Sequence, residues 1–102
     1  MTSMPIVAGG LAVPVLAPGT VQTVSVSGVS TAVANAFGAT TRVIRVVATT
    51  AIHYAVGSAP TATTSDSYLP ADVVEFIHVS PGQKIAFIQN ASSGTAYVTE
   101  AK

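Results

Sequence analysis

Apolar and polar side chains alternate with a period of two along most of the chain from residue 20 onward, the period of a strand with one buried face. In TVQTVSVS, residues 20–27, Gln22, Val24 and Val26 share one side while Thr23, Ser25 and Ser27 share the other. Gly28 then permits a turn. The weaker run VSTAVANAF, residues 29–37, is expected to pair back as a hairpin or to cover an edge, and Gly38 ends it. TTRVIRVVAT, residues 40–49, sets Arg42, Ile44, Val46 and Ala48 on one side and Val43, Arg45 and Val47 on the other. Apolar groups on both sides predict a central strand covered on both faces over part of its length. AIHYAVG, residues 51–57, places Ile52, Tyr54 and Val56 opposite His53 and Ala55.

Residues 58–72, SAPTATTSDSYLPAD, are rich in Ser, Thr, Ala and Pro and predict the longest loop of the domain. Two strands, VVEFIHVS (residues 73–80) and KIAFIQN (residues 84–90), flank Pro81, Gly82 and Gln83. Proline presets the first central dihedral of a type II turn and glycine accepts the positive φ of the second, so this pair is expected to form a hairpin. ASSGT supplies another turn, and AYVTEA, residues 96–101, a terminal strand. Phe76, Phe87 and Tyr97 are expected to fill the core, with a stacking platform for sugars or bases as the alternative. Seven or so short strands separated by Pro and Gly turns define an all-β chain: a single β-sandwich, immunoglobulin-like or jelly-roll-like.

The segment before these strands has a different character. In PIVAGGLAVPVLAPG, residues 5–19, Pro5, Pro14 and Pro18 and the Gly9–Gly10 pair interrupt a run of aliphatic side chains. Those interruptions deny it the uninterrupted apolar helix of roughly 18–20 residues that a bilayer span needs. A secretory leader carries a basic region before its apolar stretch, and none precedes this one, so neither a leader nor a membrane partner is expected. Residues 1–19 are therefore expected to be an extended apolar N-terminal arm, and residues 20–102 the sandwich domain. Extended, proline-bearing chain loses little entropy on docking.

Charge sharpens this picture. The first charged side chain is Arg42; only 8% of the chain is Asp, Glu, Lys or Arg, and four basic residues balance four acidic ones. No field exists to attract phosphate backbones or anionic lipid, so nucleic acid is not an expected partner. A near-neutral surface with sparse charge favours association, which points to a homo-oligomer or a larger assembly. There is no cysteine, so neither a disulfide nor a thiolate metal site supplements the core.

Chemistry is sparse. His53 and His78 lie inside predicted strands without close ligand spacing, so they are expected as hydrogen-bonded or surface sheet positions with no metal. Ser80, His78 and Asp72 can be grouped on paper, yet no nucleophile elbow accompanies them. Asp66, Asp72, Glu75 and Glu100 are expected as solvated charges, and no phosphate or dinucleotide loop occurs. Asn90-Ala91-Ser92 fits the glycosylation triplet but is read as a turn. The expectation is a chain that is not an enzyme and uses no cofactor. Tyr68, Leu69 and Pro70 form an apolar knot that serves either as a loop anchor or as a contact to a neighbouring subunit.

The stretch RVVATTAIHYAVGSAPTATTSDSYLPA, followed by EFIHVSPGQKIAFI and GTAYVTEA, resembles small β-rich accessory proteins of tailed-bacteriophage virions. The resemblance runs from about residue 40 to residue 100 and is carried by turns and strands, not by catalytic groups. It implies a structural role in the virion, as a capsid decoration or cement protein on the head surface, or as a neck or tail accessory. The implied partners are the major capsid protein or other virion subunits. The residues expected to meet them are Pro5, Ile6, Val7, Leu11, Val13, Val15 and Leu16 of the arm, with Tyr68, Leu69 and Pro70 of the long loop. A carbohydrate- or receptor-binding module is the alternative.

Overall fold

The computed structural model describes residues 18–101. Eight strands run through them: β1 (Pro18–Val26), β2 (Thr31–Ala32), β3 (Val43–Ala48), β4 (Ile52–Gly57), β5 (Ser67–Leu69), β6 (Glu75–His78), β7 (Lys84–Gln89) and β8 (Gly94–Ala101). They form two antiparallel four-stranded sheets, sheet A in the order β1-β8-β3-β6 and sheet B in the order β2-β7-β4-β5. The fold is thus all-β and a sandwich, as the two-residue period predicts. β1 starts at Pro18 instead of Thr20, and its pairing shifts register between Pro18 and Val21.

The strand order identifies the architecture. β1 pairs with β8, β2 with β7, β3 with β6 and β4 with β5. These are the nested pairs of one long hairpin with its tip between β4 and β5, rolled so that alternate pairs fall in opposite sheets. Eight strands in this arrangement make a jelly roll. An immunoglobulin-like sandwich groups its strands as ABED and CFG instead, so the pairing selects between the two architectures expected.

Alternation decides what each strand buries. Val24 and Val26 of β1, Ile44, Val46 and Ala48 of β3, and Ala96 and Val98 of β8 point inward from sheet A. They meet Ile52 of β4, Leu69 of β5 and Ile85 and Phe87 of β7. Val33, Phe37 and Val79 close the ends of this core from the connections. One polar tie crosses it at the rim: the Tyr54 hydroxyl donates to Glu75 Oε1 at 2.9 Å, joining β4 of one sheet to β6 of the other. Burial first, and the neighbouring Glu75 carboxylate second, hold the Tyr54 hydroxyl above the usual tyrosine range.

Several expectations are corrected. The Ser80–Gln83 turn forms as foreseen, with Gln83 N–H donating to Ser80 C=O at 3.2 Å and Gly82 at φ 83°. It does not close a hairpin, because β6 pairs with β3 in sheet A and β7 pairs with β2 and β4 in sheet B. The turn carries the chain from one sheet to the other. The run at residues 29–37 contributes only β2, which pairs with β7 and not with β1. The long loop contains a strand, β5, paired with β4. Phe87 is in the core, whereas Phe76 and Tyr97 are 59% and 41% exposed. The parity of their strands turns both away from the core.

Glu100 is also misjudged as a solvated charge. It is 5% exposed, points into the end of the sandwich, and its Oε1 accepts from the Gly38 N–H at 3.2 Å and from the Thr41 hydroxyl. Thr41 is fully buried, so this carboxylate both anchors the turn before β3 and satisfies a donor that water does not reach. Leaving a buried donor unpaired costs about 1–3 kcal/mol. Glu100→Ala is expected to lower the unfolding free energy by about 2 kcal/mol in urea titration, and Glu100→Gln, which keeps an acceptor oxygen, by about half as much.

Candidate interaction face

Two sheets have two outer faces, and this chain treats them differently. On sheet B the outward positions His53 and Ala86 are buried. Ala86 pairs with Ala32 and Ala55 and lies on the side opposite Phe87, so something must cover it. The connection at residues 58–66 does so. Its Ala62 is buried and donates its N–H to Ser30 Oγ at 2.8 Å beside β2, while Asp66 C=O lies 3.0 Å from His53 Nδ1 on β4. A local clasp stiffens the loop: the Asp66 carboxylate accepts from Thr63 N–H at 2.7 Å and from its hydroxyl at 3.2 Å, and Asp66 N–H donates to Thr63 C=O at 3.0 Å.

The outer face of sheet A has no such cover among the described residues. Register places Val21 of β1, Thr99 of β8, Arg45 of β3 and Phe76 of β6 in one row across all four strands. Thr23, Tyr97 and Val47 form the adjacent row. Val21 is 57% exposed, and Val73 and Val74 are exposed just before β6. Single exposed apolar residues are ordinary; here Val21, Phe76 and Tyr97 are exposed together in adjoining rows of one sheet face, with Arg45 between Phe76 and Thr99. Arg45 and His78 supply the basic groups on this face, at its β3 and β6 side. Apolar and neutral polar side chains fill the rest.

Of the residues expected to meet a partner, Pro5, Ile6, Val7, Leu11, Val13, Val15 and Leu16 lie outside the described residues. Tyr68 and Pro70 are exposed at the β5 edge of sheet B. Leu69 is not available: it is a core residue whose side chain packs between the sheets, so that position acts as the loop anchor. The sheet A face itself was missed. Its signal was in the sequence, since Phe76 and Tyr97 occupy the parity opposite Ile77 and Val98.

Among the described residues no cluster of three or more His, Asp or Glu side chains could hold a metal ion. His53 is instead a structural clasp. Its Nδ1 faces the Asp66 carbonyl, its Nε2 lies 2.9 Å from Asn90 Oδ1, and its ring packs at a tilt on Tyr68 with centroids 5.4 Å apart. It thereby ties β4 to the covering loop and to the turn after β7. Asn90, read from sequence as a turn residue, is in that turn. No family model, curated protein or solved structure matches the chain.

Both nitrogens of His53 face acceptor oxygens, so the doubly protonated ring makes two bonds where the neutral ring makes one. The Asp66 carbonyl first, then Asn90, raise its pKa above the ordinary histidine value against the effect of burial. A raised folded-state pKa contributes stability that is complete below the unfolded value near 6.5 and is lost as pH rises through the folded value. Thermal unfolding midpoints are expected to be higher at pH 5.5 than at pH 8, and His53→Gln is expected to flatten most of that difference.

Proposed function

We propose that this chain is a non-enzymatic structural subunit that works in an assembly, with the outer face of sheet A as its principal contact. The observation that carries the reading is the contrast between the two outer faces. A chain that folds a loop over one sheet and leaves Val21, Phe76 and Tyr97 in water on the other has a surface suited to a neighbour. The near-absence of charge on that face, and its complete absence before Arg42, agree with it. Desolvating such surfaces strips water from few ions.

The resemblance of residues 40–100 to accessory proteins of tailed-bacteriophage virions supports a more specific form of the proposal. In that form the chain is a capsid decoration or cement protein, stabilising the head through contacts with the major capsid protein and with its own copies. A neck or tail position is the variant of this reading. The jelly roll is compatible, since viral capsid domains use it, but lectin domains use it too, so fold alone does not choose between assembly and glycan binding. Tyr68, 52% exposed beside the long loop, is the residue a glycan-binding module would use.

The two readings separate in one pair of measurements. Particles purified from the natural source are expected to contain the chain at a copy number set by the capsid lattice. Particles grown with the Phe76→Asp, Tyr97→Asp chain are expected to lose it, with Tyr68→Ala incorporated normally, all counted by quantitative mass spectrometry. On a glycan array the natural chain is expected to bind nothing. A specific glycan hit abolished by Tyr68→Ala, together with absence from particles, would overturn the assembly reading.

A further inference from the structure

How firmly is the cover on sheet B held? Of residues 58–66 only Ala62 is buried, and alanine offers no more than a methyl group to the sheet. The row it shelters, Ala32, Ala86 and Ala55 across β2, β7 and β4, offers no more in return. Little apolar area joins the two. Nor does the backbone fasten them: the one backbone-to-backbone bond of the segment outside the strands, from Asp66 N–H to Thr63 C=O, is internal. So are the bonds of the Asp66 carboxylate to Thr63 and of Ser65 N–H to the Thr63 hydroxyl. Two ties to the sandwich are left, Ala62 N–H to Ser30 Oγ at 2.8 Å and His53 Nδ1 to Asp66 C=O at 3.0 Å. A segment with so few buried contacts and bonds opens locally, at a cost well below that of global unfolding.

Of the two ties, the one at His53 depends on a proton. Its Nε2 lies 2.9 Å from Asn90 Oδ1, so both ring nitrogens face acceptor oxygens. The protonated ring donates to both, whereas the neutral ring has one proton and sets a lone pair against the second oxygen. The segment brings the Asp66 carboxylate towards the ring, although its Oδ2 is engaged with Thr63. β5 brings Tyr68, packed at a tilt on the imidazole, and β7 brings Ile88, opposite in register. The turn after β7 brings Asn90, and β4 itself sets Ala55 on the same side. No basic group among these opposes a charge on the ring.

We propose that residues 58–66 form a strap that opens while the sandwich stays folded, and that protonation of His53 holds the strap shut. The Thr63–Asp66 clasp travels with the strap, and the Ala32, Ala86 and Ala55 row meets water while the strap is open. The ring has its two acceptors only in the closed state, which places its pKa there above the ordinary 6.5. Closure is therefore fully favoured below 6.5, and the advantage is lost as pH rises through the closed-state value. The outer face of sheet A plays no part in this device.

Amide hydrogen exchange of the full chain, followed by NMR and divided by the intrinsic rate at each pH, tests both halves. The Ala62 N–H is expected to be less protected than the β8 amides at every pH, because it exchanges through the local opening. Its protection is expected to fall by about threefold or more between pH 5.5 and pH 8, in step with the titration of the His53 ring and not with that of His78. His53→Gln is expected to abolish the step while the β8 amides stay protected, which shows that the sandwich survives the substitution. Asp66→Asn, which keeps the backbone carbonyl at residue 66, is expected to preserve the step. Equal Ala62 protection at the two pH values, as results when Asn90 turns its amide to donate to the neutral ring, would overturn the proposal. So would Ala62 protection equal to that of β8, a step that survives His53→Gln, or a step lost in Asp66→Asn.

Discussion

Three of the four strands of sheet A are joined through β8, the last of the described strands. It pairs with β1 from Gly94 to Ala101 on one side and with β3 on the other, so the pairing Pro18↔Ala101 joins opposite ends of the described chain. Until β8 is in place, β1 has no partner and the Val24 and Val26 side chains have no sheet to hold them. Its inward residues Ala96 and Val98 are small, which lets the two sheets approach, and Glu100 closes the end by holding the turn at residues 38–41. Such pairing between distant segments slows folding, because loop-closure entropy is lost before the distant contacts form. Gly94 shows how tight the fit is. A Cβ there would lie 2.7 Å from Thr49 Oγ1 and Thr50 Cγ2, so any other residue at the start of β8 requires those threonines to shift.

The same strand that organises the core also presents Tyr97 and Thr99 to the outside. On β8 and β3 the outward side chains Tyr97, Arg45 and Val47 stand between buried neighbours, so this part of the outer face is backed directly by the core. A rigid apolar face loses little side-chain entropy on contact, apart from the rotamers of Phe76 and Tyr97. Sheet B makes the opposite use of its outer surface, spending residues 58–66 on a cover pinned at Ser30 and His53. The sandwich therefore has a finished side and an open side.

The strands were legible from the two-residue period because most have one buried face, and β1, β3, β4, β7 and β8 fall close to where alternation puts them. Turn chemistry was legible too: Pro81-Gly82 demands the positive φ that Gly82 adopts. What the turn connects was not. A local dihedral pattern does not record whether the next strand returns beside the last one or crosses to the facing sheet, and in a jelly roll that choice is made by distant pairing. β5 escaped notice because three residues are too few to show a period. Phe76 and Tyr97 were assigned to the core on side-chain size, although their parity against Ile77 and Val98 already turned them outward. Of the candidate contact residues, Leu69 proved to be core, and the arm residues remain a matter of pattern: apolar on both alternating sides and charge-free.

Faces, more than edges, are what this fold offers to a neighbour. β2, β5 and β6 have two, three and four residues, too short to template a partner strand. β1 is long, but the chain ties its flank to its own loops. The Gln22 side-chain amide donates to Asn35 C=O at 2.9 Å and accepts from Asn35 N–H at 3.0 Å, and Gln89 N–H donates to Ser27 C=O at 2.9 Å just beyond the strand's end. Gln22 here does for a loop what a strand's peptide would do, drawing residue 35 along the β1 side of the sandwich. With edges short or tied, what sheet A leaves open is its outer face, where Val21, Phe76 and Tyr97 are exposed.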